Sequence, residues 1–414
     1  MSWAYTPAYT ATRLRVLSAA GLCIVGVGFA TLRWNTPAVR AQERLGVNTP
    51  IEDPTRTLAP RFRALFQEAS TRLVRLSFWG TSHTASDQYT SVLREALQQR
   101  FGDGGSGTFL PARPMTFYDR RDIAFEASAG FVGVSTRRTT GTLVLGATGM
   151  VLDARRTATA RVRVRHPSTG VARLWAVGIG PGRGRVALTI GGRHAERELE
   201  VGERAMVELS VAGCASGAGA SGGCDVDRQP LIDVQASHAR ILALSVDASR
   251  GVVVESFGVS GARASDALRW DDGVFREQLV ARPPDAVLLE YGTNESQGLG
   301  TGRERGDALI ALIARFCNAL PNALCVVIGP SNRPQLRSGR WSSNLRNLAV
   351  RDSHREAALA AGCGFFDFIS FEGGPSSMNE WVTQGYALDD HVHLSDAGNE
   401  RLGTMLMAAL LTPP

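Results

Sequence analysis

Two kinds of hydrophobic pattern alternate along the chain. Residues 42–70 begin polar and proline-punctuated, then place Leu58, Phe62, Leu65 and Phe66 on one face of an amphipathic helix. The stretch from Arg72 to Trp79, with Leu73, Val74, Leu76 and Phe78 apolar, predicts a strand, which stops abruptly at Gly80-Thr81-Ser82-His83. A helix over 87–100 should bury Tyr89, Val92, Leu93 and Leu97, and a glycine-rich turn spans 103–107. From about Ala124 to Arg250 the helical period disappears. Period-two runs replace it over 142–145, 159–165, 185–190, 205–211 and 241–246, separated by glycine-rich turns. Short strands at such spacing indicate an antiparallel sandwich. From Gly251 strand and helix alternate again. Strands are expected at 252–257, 285–291, 324–329 and 364–369, with helices beginning at 262 and spanning 305–320, 343–361 and 395–411. Ser395 is placed to cap the last of these.

This order predicts an α/β fold in which a parallel sheet flanked by helices is interrupted by an inserted antiparallel β-sandwich. The expected division is a leader over 1–41, a linker and amphipathic helix over 42–71, the α/β unit in two parts over 72–125 and 251–414, and the sandwich over 126–250.

The leader reading rests on Arg13 and Arg15, the apolar run Val16 to Leu32, and Arg33, Pro37 and Ala41 beyond it. A basic flank, an apolar core and small residues describe an export signal, cleaved after 39–41 or retained as a membrane anchor. A buried N-terminal helix is the alternative. Cys23 does not fit a lipoprotein signal, because Leu22 precedes it. In an exported chain, Cys214 with Cys224 and Cys317 with Cys325 form two local pairs suited to disulfides closing loops, which leaves Cys363 as a buried thiol. The cysteine spacing lacks the matched ligand clusters that zinc needs.

Composition narrows the chemistry. The 45 basic side chains are all arginine, so mechanisms built on a lysine Schiff base or a phosphate-loop lysine are excluded. The net charge of +6 is spread along the chain without interleaved aromatics. That argues against a nucleic-acid partner and leaves a weak attraction to an anionic cell envelope.

Three predicted strand ends carry polar residues, where ligands sit in α/β sheets. Ser82 follows the first strand, either with an exposed hydroxyl or simply as a helix cap. Asn294, in Gly292-Thr293-Asn294-Glu295, offers an uncharged donor to a carbonyl oxygen or stabilises a turn. Asp390 precedes His393 by three residues, so its carboxylate can accept a hydrogen bond from the imidazole Nδ1–H, which fixes the tautomer and leaves Nε2 as a base. A metal site or ordinary loop histidines are the alternatives, and His391 is offset from this spacing.

These stations, in this order, resemble the SGNH (GDSL-like) hydrolase family. The resemblance covers about 72–125 and 251–412, and it adds a second block at Gly258-Val259-Ser260-Gly261. It implies a serine esterase in which Ser82, Asp390 and His393 form the triad, while Ser82, Gly261 and Asn294 hold the oxyanion. No cofactor or metal is required, because the serine supplies the nucleophile. The family's Gly-Asp-Ser reads Gly-Thr-Ser here, with Thr81 in place of aspartate. The runs GTSHTASD and YGTNE, the turn 101–107 and the inserted β segment resemble the peptidoglycan O-acetylesterase branch. In that branch a carbohydrate-binding-like sandwich lies between the serine and glycine blocks. The implied substrate is an O-acetylated glycan. An O-acetyltransferase using the same residues and a non-catalytic glycan-binding surface protein are the alternatives.

Overall fold

Five parallel strands form the centre of the molecule. In space they run Gly251–Gly258, Leu73–Gly80, Ala286–Glu290, Leu324–Ile328 and Gly364–Phe366. The structure, a computed structural model, describes residues 48–137, 144–165, 170–211, 229–297 and 302–412. Numbered along the chain the central order is second, first, third, fourth, fifth. The direction of winding therefore reverses at the first strand, which creates a crevice at its carboxyl end. Every residue of Gly251–Gly258 and Ala286–Glu290 is buried, the polar Glu255, Ser256 and Glu290 included, because both faces of the sheet are covered. Helices Leu58–Glu68, Gln88–Phe101 and Asp396–Leu411 pack on one face through Phe62, Phe66, Tyr89, Leu93, Leu402 and Leu406. On the other face Trp79, Phe257 and Leu289 meet Phe275, Leu312 and Phe316 of the helices Asp272–Ala281 and Gly302–Ala319.

The inserted region is a sandwich of two antiparallel sheets. One orders Arg204–Val211, Gly170–Gly178, Ala239–Ala248, Met150–Ala154 and Val132–Ser135, with Gly107–Phe109 also paired to Ala239–Ala248. The other orders Ile123–Ala129, Ala158–Val164, Leu231–Ser237, Gly184–Ile190 and Arg193–Leu199. Alternation is visible in Ala158–Val164, where Ala158, Ala160, Val162 and Val164 are buried while Thr159 and Arg161 are exposed. Leu145, Val151, Val177 and Leu242 of the sandwich share a core with Trp79 and Phe257 of the central sheet. The chain enters and leaves the insertion at one crossing. The Gly104 amide donates to Val252 O at 3.0 Å, and the Val252 amide donates to Gly102 O at 2.8 Å.

Several expectations change here. Val144 and Leu145 lie in no strand, and the rest of 142–145 falls outside the described residues. The helix expected from 262 is one turn, Ala264–Ala267, and restarts at Asp272–Ala281, where the Asp271 side chain accepts from the Val274 amide at 2.8 Å. The pairing of Cys317 with Cys325 is wrong. Cys325 is bonded to Cys363, and Cys317 is free and exposed on its helix. The parallel pairing that sets Val326 beside Gly364 also brings the preceding residues of the two strands together, with Cα atoms 4.7 Å apart. Cys363 is therefore a disulfide partner and not a buried thiol. Cys214, Cys224 and the leader over 1–41 lie outside the described residues. No helix among the described residues is long and apolar enough to cross a membrane.

Candidate active site

The first strand ends at Gly80, and Ser82 opens a one-turn helix, Ser82–Ala85, at the crevice where the winding reverses. Close packing holds this turn. A Cβ at Gly80 would lie 2.3 Å from Thr84 Oγ1, and one at Gly258 would lie 2.0 Å from the Ala85 amide nitrogen. Neither position has room for a side chain. The Val259 amide donates to Gly80 O at 3.0 Å, which ties the glycine block to the end of the serine strand.

Thr81 replaces the family aspartate, and its surroundings show a carboxylate arriving from elsewhere. Glu290, fully buried at the end of the neighbouring strand, accepts from the Thr81 amide at 2.9 Å, from the Thr81 hydroxyl at 3.0 Å and from the Thr84 hydroxyl at 3.1 Å. Burial pushes the Glu290 pKa up to about 7, against those hydrogen bonds. A second carboxylate at position 81 would face it as a like charge.

Asp390 and His393 lie on the loop before the final helix. His391 between them adopts a left-handed conformation, φ 58°, which folds the loop back on itself. Asp390 Oδ1 accepts from the amides of Val392 and His393, each at 2.9 Å, and Oδ2 meets His393 Nδ1 at 2.5 Å. Burial raises the Asp390 pKa, but the His393 and Val392 hydrogen bonds outweigh it and hold the carboxyl below its usual value. His393 Nε2 lies 2.8 Å from Ser82 Oγ. The three residues singled out in the sequence are therefore brought together in the relay order serine, histidine, aspartate.

His83 had no role in the sequence reading. It is buried, and burial followed by the nearby charge of His393 pushes its pKa down to about 3. The neutral ring has its Nε2 3.1 Å from Val392 O, a contact that pins the triad loop to the serine turn. Asn294 is half-buried. Its Nδ2 donates to Ala262 O at 3.0 Å, and its Oδ1 accepts from Arg333 Nη1 at 3.3 Å. The second Nδ2 proton remains for a ligand. Gly261 has φ 77°, a conformation that favours glycine, and Arg137 Nε lies 3.3 Å from where a Cβ would stand. Buried Glu295 accepts from the amides of Ala264 at 2.7 Å and Gly292 at 3.0 Å, fastening the asparagine loop to the glycine loop. Trp341 stacks on His391 with centroids 4.0 Å apart. Glu290 beside Thr81, Arg137 beside Gly261 and Arg333 beside Asn294 are brought there only by the fold, and no sequence spacing reveals them. Among the described residues no cluster of three metal-ligating side chains occurs.

The profile of the GDSL-like Lipase/Acylhydrolase family matches residues 216–401, a span that includes Gly261, Asn294, Asp390 and His393 and begins after Ser82. That match spans less than half of the chain, and together with the fold it supports a serine hydrolase acting on carboxylic esters. A solved structure described as a peptidoglycan O-acetylesterase is 21% identical, with 87% of this chain and 97% of that chain covered at a TM-score of 0.71. It shares the fold, insertion included. A GDSL-like lipase from Parabacteroides merdae (22% identical, 38% of this chain and 73% of that one, TM-score 0.29) also matches. So does an acetyl xylan esterase (19% identical, 38% and 80%, TM-score 0.30). Neither carries further argument at that similarity. No curated protein matches the sequence.

Proposed function

We propose that this protein is an exported esterase that removes O-acetyl groups from peptidoglycan or a related polysaccharide, with Ser82 as nucleophile. The observation that carries the reading is the unbroken chain of contacts from Asp390 through His393 to Ser82 Oγ. His393 Nε2 takes the Ser82 proton as Oγ attacks the ester carbonyl, and Asp390 holds the imidazolium that results. The tetrahedral oxyanion faces the amides of Ser82 and Gly261 and the second Nδ2 proton of Asn294. Collapse expels the glycan hydroxyl, which takes the proton back from His393. Water then cleaves the acetyl-serine, with His393 again as base, and acetate leaves.

The acetyl-glycan substrate is supported by the fold shared with the peptidoglycan O-acetylesterase structure, insertion included. Location in the cell envelope, by secretion or through an N-terminal anchor, accords with a polymer that lies outside the membrane. We assign the α/β unit to 72–125 and 251–414, and the glycan-holding sandwich to 126–250.

Acetate release from O-acetylated peptidoglycan, acetylated xylan and a small chromogenic acetate tests activity and substrate class together. Peptidoglycan should be the best polymer. Ser82→Ala should lower turnover on all three by on the order of 10⁴–10⁶. Retained activity in that variant would sink the serine assignment. Acetylated acceptor sugar in place of free acetate would identify a transferase.

A further inference from the structure

Two guanidinium groups flank the donors that would hold the oxyanion. Arg137 comes from the inserted sandwich, just beyond the strand Val132–Ser135, and lies beside Gly261. Arg333 comes from the loop after the strand Leu324–Ile328 and donates to Asn294 Oδ1 at 3.3 Å. The Asn294 contact with Ala262 O, at 3.0 Å, joins the loop beside Arg137 to the residue that Arg333 contacts, so both arginines adjoin the same oxyanion donors. The charges facing them are otherwise committed. Asp390 is held by His393, Glu295 lies buried beneath two backbone amides, and Asp266 accepts from the Arg263 amide at 2.9 Å. The Arg263 guanidinium is occupied by Gln297 O at 2.8 Å. Among the described residues no carboxylate pairs with Arg137 or lies within ion-pair distance of Arg333, whose side-chain bond goes to a neutral amide oxygen. Arg333 is half-buried, so it has given up part of its hydration without a counter-charge in contact.

We propose that Arg137 and Arg333 form a cationic edge that binds a carboxylate of the substrate, so that the enzyme selects acetyl esters of acidic saccharides over neutral ones. A planar carboxylate matches the guanidinium fork, and the partial burial of Arg333 limits screening. The edge also gives the insertion a share in the site, because one of its two cations belongs to the sandwich. This inference rests on the esterase reading above and names its substrate class.

The test compares an O-acetylated methyl glucuronoside with the matching O-acetylated methyl glucoside. Wild type should favour the acidic sugar by about tenfold or more in kcat/KM. The preference should shrink as salt is raised. The double variant Arg137→Gln/Arg333→Gln should bring the ratio close to one, and Arg137→Lys/Arg333→Lys should retain part of it. A ratio measured within one preparation does not depend on the fraction folded. Equal cleavage of both sugars by wild type, or a ratio unchanged in the glutamine variant, would overturn the proposal while leaving the esterase intact. Failure to cleave either sugar or a small chromogenic acetate would overturn both.

Discussion

Arg94 and Arg161 are the same side chain in opposite settings. Arg94, in the α/β unit, is buried and reaches both oxygens of buried Asp87 at 2.9 and 2.6 Å. Arg282 does the same with Asp247 at the seam between the two regions. Arg161, on the outer face of the sandwich, meets Asp233 directly across the strand pair, in the open. Arg163 with Glu126 and Arg173 with Glu208 repeat that exposed pattern. A chain without lysine thus uses guanidinium for two purposes. Inside, its planar fork satisfies a carboxylate in a way that an ammonium cannot. Outside, it keeps a strand soluble and adds little. The arginine-only composition has a structural consequence in the first region and almost none in the second.

Substitutions sharpen this contrast. Arg94→Ala strands a buried carboxylate and should destabilise the fold by about 3–5 kcal/mol, read as a lowered denaturation midpoint. Asn294→Ala leaves the fold intact and should reduce turnover on a small acetate by about 10²–10³. Glu290 acts through pH. Its folded pKa of about 7 lies above the value of 4.5 for a free glutamate. A raised pKa contributes stability that is fully present below pH 4.5 and is lost as pH climbs through 7. Wild type should therefore lose roughly 3 kcal/mol across that window from this group. Glu290→Gln keeps an acceptor for Thr81 and should flatten that part of the Tm profile. An identical pH profile in the variant would show that the group is not titrating. At the small end, Arg161→Ala should leave Tm unchanged within error. A clear drop there would erase the distinction between the two regions.

How much of this could be read beforehand follows the same division. The central strands were legible because helices and sandwich cover both faces, which makes Ala286–Leu289 and Val252–Val254 apolar runs. Ser82 and Asn294 were legible because they stand where such strands stop, the Asp390–His393 pair because of its three-residue spacing, and Gly261 followed from the family resemblance. Arg193–Leu199 was not. It is an edge strand, mostly exposed and rich in charge, so it shows no alternation. The Cys325–Cys363 bond was missed because parallel register, and not nearness in sequence, decides which cysteines meet. The substitution at Thr81 could not be explained without Glu290, which comes from a different strand.

The single crossing through which the insertion enters and leaves has a consequence for assembly. Leu73–Gly80 and Gly251–Gly258 pair along their full length, although the whole sandwich lies between them in the chain. In an unfolded chain that pairing is a distant one and carries a large loop-closure entropy. Once the sandwich has condensed, its two ends stand side by side, and the first and second central strands become local neighbours. The order of events should be visible in pulse-labelled hydrogen exchange, with amides of Ala239–Ala248 protected before those of Val252–Val254. The region that contributes least to the chemistry would then set the timetable on which the chemistry is built.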